Sequence, residues 1–577
     1  MHTLLYLKGT NKMKIKKIIS HRAVVWPLLS LTTICCFGQN LVDNGGFEIP
    51  EVSGTHLFIN NSQSYPTPPN FEWTVVSSVD VQTVPPQGGY QSAVGDQFLD
   101  LHGNTIGKVF QNIVTQPGRR YAISFAYAGI PGAPTDKTFK VLWGGTEVAS
   151  LQFDTTGKTA SNMGWKYYQI EVTASSTSTE LRFESTSAFS NNGPTLDDVS
   201  VVPSWSQLVS GGWDHSLAVA LDGDLWSWGG NDYGQLGRAG GGNLSPGQVM
   251  SGSSFIAVAG GGWHSLAVKS GGTVWAWGYN YYGQLGEDST ANNAIPQQVK
   301  GLGGSGYLTG VISVSAGSYN SYALKSDGTV WAWGQGLGVG NGSSDQDTPV
   351  QVLDTSDPSG YLTAVVAIAG GDAHCLALKS NGKVRAWGYN LNGQLGNNTT
   401  NNSTFATKVY TPGTPPLSEL SDVVAIAAGF NHSVALKSDK TVWTWGDDDW
   451  GQVGNGSTTG DQWLPGSIGL SDVISIGAGA DYCLARKSDG TAWAWGRNHA
   501  YQLGLGDTTA RNAPVQISTS NLSDVGAIVA SKASHSFVIG YNRTLRGWGA
   551  NYYGQVGDGT TTTPRTSPVA LSSGFGL

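Results

Sequence analysis

Charge is scarce in this chain. Asp, Glu, Lys and Arg make up 12% of its 577 residues, about half of the usual ~25%. Positive charge is the scarcer sign, with 32 Lys+Arg against 40 Asp+Glu. All basic residues of segment 1–39 (Lys8, Lys12, Lys14, Lys16, Lys17, Arg22) face no acidic residue there, so a chain without that segment has a net charge of −14. Such a chain repels phosphate backbones. No basic cluster overrides this, so nucleic acid is excluded as an expected partner. Cysteine is scarce too: beyond residue 39 only Cys375 and Cys483 remain. They hold equivalent places in two copies of a repeat, separated by a whole copy. A bridge in an oxidising compartment needs Cα atoms within about 7 Å, so two small buried side chains in place of serine are the expectation. No apolar run is long enough for a comfortable membrane span.

What is abundant is glycine and tryptophan. Gly numbers 81 and Trp 21, and aromatics reach 10%. Disordered chains lack large apolar side chains. Many turns, many aromatics and few charges indicate an all-β protein with short strands, too long for a single core.

The N-terminus reads as a targeting segment, residues 1–39. Lys14, Lys16, Lys17 and Arg22 precede the uncharged, apolar run 23–37, in the order of a secretory signal, with Met13 as an alternative start and cleavage near Gly38–Gln39. An uncleaved anchor, or lipid attached at Cys35 or Cys36, is the alternative. The expected location is secreted, extracellular or cell envelope.

From residue 204 to 577 the chain repeats. Trp-Gly recurs at Trp228, Trp277, Trp333, Trp387, Trp445, Trp495 and Trp548, at intervals of 49, 56, 54, 58, 50 and 53 residues. The fifth copy predicts strands over 423–429, 432–438 and 441–445. An outer strand follows, as in Pro296–Val299, Pro349–Val352 and Pro514–Ile517, where a leading proline is tolerated on an edge. Asp222-Gly223, Asp327-Gly328, Asn381-Gly382 and Asp489-Gly490 suit two-residue type I′ hairpins; Asp439-Lys440 and Asn542-Arg543 depart from that pattern. Strands apolar on both faces must be sandwiched between neighbours, and seven such sheets closed around an axis achieve this. Trp205–Ser210 and Pro568–Leu571 supply the first and last strands, so contact between copies one and seven is expected.

The pattern His-Ser-x-Ala-x-x-x-Asp-Gly-x-x-Trp-x-Trp-Gly-x-Asn-x-x-Gly-Gln-Leu-Gly is complete or nearly so at 264–286 and 374–396. It resembles the regulator of chromosome condensation repeat. The resemblance implies a seven-bladed β-propeller and leaves function open.

Residues 40–203 lack the repeat. Tyr121–Tyr127, Lys137–Trp143 and Tyr167–Val172 alternate as strands of a two-sheet β-sandwich. The frame Asn40–Glu48 and Leu196–Val199 resembles the galactose-binding-like jelly rolls, among them carbohydrate-binding modules. That resemblance implies a polysaccharide partner and a structural calcium at Glu48 with Asp197 or Asp198; the alternative is a surface pair of acids. Trp73, Trp143, Trp165, Tyr167 and Tyr168 are either sugar platforms or core.

Chemistry is sought first at histidine. His215, His264, His374, His432 and His535 are equivalent, with Asn320 and Tyr482 in the remaining copies. Equivalents in successive blades diverge around an axis, whereas a metal needs ligands at ~2.1 Å from one point. The expectation is therefore a structural hydrogen bond to backbone in each copy. The serine that follows points to the opposite face, which opposes a nucleophile–base pair. Neither a phosphate-binding loop, a metalloprotease helix nor a paired-carboxylate motif occurs, and Asp447-Asp448-Asp449 reads as a solvated loop. The sequence thus predicts a non-enzymatic binding protein, with a protein partner on one propeller face and glycan or cell envelope on the sandwich. A guanine-nucleotide exchange factor and a secreted enzyme inhibitor are the alternatives.

Overall fold

The computed structural model describes residues 56–60, 73–75, 78–83, 97–102, 106–115 and 120–572, apart from 161, 175, 189–191, 204–207, 221, 239–242, 343, 459, 519–521, 523–524 and 541–543. The signal segment, Glu48, Trp205 and the Asn542-Arg543 turn lie outside these residues.

Alternation builds the N-terminal region into two antiparallel sheets. One has six strands, in the order His56–Asn60, Ser78–Thr83, Gln97–Asp100, Pro194–Pro203, Arg120–Gly129, Lys166–Thr173. The other has five, in the order Thr74–Val75, Lys108–Val114, Ser178–Ser185, Asp136–Trp143, Thr146–Asp154. Along Asp136–Trp143 every second residue is buried, placing Phe139, Val141 and Trp143 inward. They meet Phe125 of the opposite sheet and Phe183 of the neighbouring strand, these two packed edge to face at 5.0 Å. Burying each such ring contributes about 1.5–3 kcal/mol. Trp73 and Trp143 belong to this core, while Trp165 and Tyr168 pack partly buried against it. The side chain of Tyr167 lies outside the described residues. Among the described aromatics considered as sugar platforms, none stands free.

The repeats form seven four-stranded antiparallel sheets, each from four consecutive strands. In blade 5 these are Val423–Ala428, His432–Lys437, Val442–Gly446 and Gln462–Ser467. The second strand is buried on both faces in every blade, as the two-sided apolar pattern requires. The Trp of each Trp-Gly is fully buried in all seven blades, and a first Trp stands two residues before it in all but blades 4 and 7, which carry Arg385 and Arg546 there. The first Trp is partly exposed, and Lys269, Lys325, Lys437 and Lys487 lie over the rings of Trp275, Trp331, Trp443 and Trp493. The Trp-Gly glycine has φ of 97–106°. A Cβ there would strike the carbonyl of the residue before the second strand, as at Asp214 O, 2.4 Å from the position on Gly229.

The blades close into a ring. Near the axis, backbone N–H groups donate from each blade to the next: Trp213 to Gly262, Gly262 to Ser318, Ser318 to Asp372, Asp372 to Phe430, Phe430 to Ala480, Ala480 to Ala533, and Lys532 back to Gly211. The expected contact between copies one and seven is present, and one mixed core contains Trp228 of blade 1 with Phe537 and Ile539 of blade 7. The chain ends of the propeller lie on neighbouring blades.

The hairpin expectation needs correction. Gly223, Gly328, Gly382 and Gly490 have positive φ, but Asp222, Asp327, Asn381 and Asp489 do not. Thr329 O accepts from Lys325 N–H, and Lys325 O accepts from Gly328 N–H. This is a three-residue loop whose last residue alone is left-handed. The Asp caps it, since Asp327 Oδ1 accepts from Thr329 N–H at 3.0 Å. Lys440 adopts the same loop at φ 64°.

Candidate binding face of the propeller

The repeated His-Ser pair joins blades. The histidine Nε2 reaches the hydroxyl of the following blade: His215 to Ser265 (3.0 Å), His264 to Ser321 (2.9 Å), His374 to Ser433 (3.1 Å) and His535 to Ser216 (3.0 Å). His432 meets Cys483 Sγ at 3.1 Å, and Tyr482 Oη meets Ser536 Oγ at 2.9 Å. Each serine donates in turn to the carbonyl of the Gly-Gln glutamine in the blade before, as Ser265 does to Gln235 O at 2.8 Å. The imidazole therefore donates through Nε2–H. The buried Trp Nε1 donates to that same carbonyl, as from Trp277 to Gln235 O at 2.8 Å.

These contacts correct the expected bond from histidine to backbone: its partner is the next blade's hydroxyl or thiol. The sequence offered a signal, because Ser and the Gly-Gln pair recur in phase with His. Across blades His and Ser do meet, yet both are fully buried, and the hydroxyl proton is committed to a carbonyl. No substrate reaches the pair. Burial lowers the pKa of His264, His374, His432 and His535 to about 3. Cys375 and Cys483 are free and buried. Blade 3 breaks the pattern, since Asn320 donates within its own blade to Gln335 O, leaving Cys375 without a histidine. Lys532, at the axis-lining place where the other six blades carry glycine (as Gly261 in blade 2), crosses to the carbonyls of Gly370 and Ala428 in blades 4 and 5.

The variable positions lie at one end of the ring. Because His215 pairs with Gly229, residues before the second strand and after the third emerge together. On blades 1–3 these residues are aromatic. Trp213 packs on Trp263 at 4.5 Å and reaches Phe430 of blade 5 at 6.1 Å, capping the axis. Tyr233, Tyr279 and Tyr282 continue the cluster outward. The loop before each Gly-Gln adds the exposed side chains of Tyr281, Leu391, Trp450, Tyr552 and Tyr553. On blades 4–6 the same end is acidic. Oxygens of Asp447, Asp449 and Asp461 lie within 4.8 Å of one another. Burial and neighbouring carboxylates raise Asp447 to a pKa of about 6. Asp481 pairs with Arg497 at 2.9 Å. An open cleft of about 510 Å³ between blades 3, 4 and 5 is lined by Gln335, Leu337, Asp345, Asp372, Tyr389 and Asn431. Burial raises the Asp372 carboxyl.

In the sandwich, Asp197 is fully buried where the register of its strand shifts between Asp197 and Ser200. Glu48 and the side chain of Asp198 lie outside the described residues, so the structure does not assemble this expected calcium set. Among the described residues no helix is long and apolar enough to cross a membrane.

Fold and junctions define a closed seven-bladed β-propeller of tandem repeats behind a β-sandwich. The RCC1-like domain matches residues 309–575, and models of the regulator of chromosome condensation (RCC1) repeat match 222–268 and 271–324, and 207–235 and 255–284. The propeller belongs to the regulator of chromosome condensation repeat family. Residues 40–202 match DUF642, described as a protein of unknown function. Protein pim1 of Schizosaccharomyces pombe is 30% identical over 175 residues, 27% of this chain and 31% of that protein. The ultraviolet-B receptor UVR8 of Arabidopsis thaliana is 39% identical over 88 residues, 15% of this chain and 18% of the receptor. The chain thus spans less than a third of the length of these relatives. Among solved structures, yeast RCC1 (Prp20) bound to Kap60 superposes with TM-score 0.52 at 24% identity, over 64% of this chain and 85% of that one.

Proposed function

We propose that the chain is a secreted or cell-envelope binding protein whose propeller docks a protein partner on the aromatic–acidic loop face. The observation that carries this is the set of exposed Tyr281, Leu391, Trp450, Tyr552 and Tyr553 at two adjacent positions of the equivalent loops of blades 2, 4, 5 and 7. Tyr and Trp supply large rigid contact area and dominate interface hot spots. The acidic half adds complementarity for a partner with basic side chains. The 1–39 segment supports secretion. The resemblance of the sandwich to galactose-binding-like modules supports attachment to polysaccharide, with Glu48, Asp197 and Asp198 as its proposed calcium ligands.

Affinity capture from culture medium with the mature chain, followed by Tyr281→Ala/Tyr552→Ala, tests the face. The double variant is expected to weaken capture at least tenfold, corresponding to about 1.4 kcal/mol or more. Unchanged capture would move the site elsewhere. Binding of the mature chain to no polysaccharide of a glycan array would remove the sugar half of the proposal. The second reading is nucleotide exchange, because the similar Prp20p of Saccharomyces cerevisiae binds Gsp1p and histones. Accelerated nucleotide release from a small GTPase would favour it; the acidic balance of the chain opposes a chromatin role.

A further inference from the structure

Blade 5 departs from the loop chemistry of blades 4 and 7 at a single atom. In blades 4 and 7 the Asn after Trp-Gly-x closes the loop with both ends of its amide. Asn390 Oδ1 accepts from Leu395 N–H at 2.8 Å, and Asn551 Oδ1 from Val556 N–H at 3.0 Å. Their Nδ2 atoms donate to loop oxygens: Asn390 to Asn397 Oδ1 (3.2 Å) and Thr399 O (2.9 Å), Asn551 to Asp558 Oδ1 (3.2 Å) and Thr560 O (3.0 Å). Blade 5 has Asp448 at this place. Its Oδ1 keeps the equivalent bond, accepting from Val453 N–H at 3.0 Å.

The loop it faces is also kept. Asn455 Oδ1 accepts from Ser457 N–H at 2.8 Å, as Asn397 does from Thr399 and Asp558 from Thr560. A carboxylate is planar like an amide, so Asp448 Oδ2 occupies the Nδ2 position. The loop oxygens equivalent to Asn397 Oδ1 and Thr399 O, to which the amide donates in blade 4, are Asn455 Oδ1 and Ser457 O in blade 5, and a carboxylate has no proton to give them. Asp448 is 1% exposed, and its Oδ2 has no partner among the described residues. Asn455 cannot turn its amide inward without giving up the bond from Ser457. Three more carboxylates, Asp447, Asp449 and Asp461, stand close by, and none of the four acids forms an ion pair among the described residues. A buried carboxylate oxygen aimed at acceptors is costly unless positive charge lies between them. An all-oxygen cage next to uncompensated acids matches a hard divalent cation.

We propose that the loop of blade 5 binds one calcium ion between Asp448 Oδ2, Asn455 Oδ1 and the Ser457 carbonyl, with water completing the shell. The ion takes the place of the amide hydrogens that close the other blades. It also offsets the acids on that side of the loop face.

The test compares the full mature chain with Asp448→Asn, which installs the residue that blades 1, 2, 4, 6 and 7 already carry. Both proteins are stripped with EDTA and melted with and without ~1 mM calcium chloride, and bound calcium is counted by equilibrium dialysis. Calcium at about a hundredfold over Kd is expected to raise the wild-type melting temperature by several degrees. Asp448→Asn is expected to bind one ion fewer, to lose that rise, and to melt above calcium-free wild type. Any calcium held by the sandwich is common to both proteins and cancels. Equal calcium counts in the two proteins would overturn the proposal. If wild-type melting then rises as pH falls through about 6, a proton on Asp448 takes the cation's role.

Discussion

Lys440 shows what one residue costs in a repeated frame. It occupies the left-handed corner that Gly223, Gly272, Gly328, Gly382 and Gly490 hold in other blades, at φ 64°. A side chain in that region crowds the following carbonyl, at a cost of roughly 1–2 kcal/mol. Glycine removes the crowding but loses more chain entropy on folding, roughly 0.5–1 kcal/mol. The loop hydrogen bonds are backbone groups and Asp439 Oδ1, all retained on substitution. Lys440→Gly is therefore expected to stabilise the propeller by about 0.5–1 kcal/mol, measured as a rise in denaturant midpoint at constant m-value. The stack of Lys437 on Trp443 in the same hairpin is left in place. A fall in midpoint would mean that the Lys440 side chain holds a contact outweighing its strain.

At the scale of elements, the junction between neighbouring blades is a packed Trp with its carbonyl bond, backed by the His–hydroxyl contact. Acid should attack the second part. His264, His374, His432 and His535 have folded pKa values of about 3, against about 6.5 in an unfolded chain. Between these values the unfolded state binds more protons, so stability is fully present above about pH 6.5 and is lost as pH falls towards 3. Melting followed from pH 7 to 4 should show a steep decline, shallower in His374→Asn, which copies the residue of blade 3. An identical slope in that variant would remove His374 from the linkage. Strand order and the buried Trp were legible in the sequence because they recur: Trp277 and Trp445 sit in the same pattern and the same place. The His partner was not, since Ser433 and Gln394 belong to different copies from His374 and Trp445 respectively, as the repeat counts them, and only the packing of blade 5 on blade 4 brings His374 to Ser433 and Trp445 to Gln394. The loop face was missed for the opposite reason. Trp213, Tyr281, Trp450 and Lys532 differ from their counterparts, and a search for sameness passes over them. The type I′ expectation failed because Asp-Gly serves both turn classes, and only the pairing of Lys325 with Thr329 distinguishes them.

For the whole molecule the question is where the ring opens first. Six junctions join blades that also follow each other in the chain. The junction of blade 7 to blade 1 has no such connection, because each blade uses its own four strands and no strand is exchanged. It is held by contacts of the same kinds as the rest: Trp228 Nε1 to Gln555 O at 2.9 Å, His535 to Ser216 at 3.0 Å, and Lys532 N–H to Gly211 O at 3.0 Å. Lys532 adds a tie across the axis, from blade 7 to the Ala428 carbonyl at 3.3 Å. Equal contacts without a chain connection make this the junction whose parting frees the most chain entropy. Native-state hydrogen exchange should therefore find lower opening energies for the inner strands of blades 1 and 7 than for those of blades 3 to 5. Trp228→Ala should widen the gap, since it empties a fully buried site and leaves Gln555 O with one donor fewer; Trp to Ala costs about 3–5 kcal/mol in a packed core. Much of that loss should appear as faster exchange in Val209–Gly211, His215–Val219 and His535–Gly540. Trp445→Ala, at a junction the chain itself bridges, should leave the exchange of those three strands closer to wild type. If both variants speed exchange equally in every blade, the ring opens as one cooperative unit and the closing junction has no special weakness.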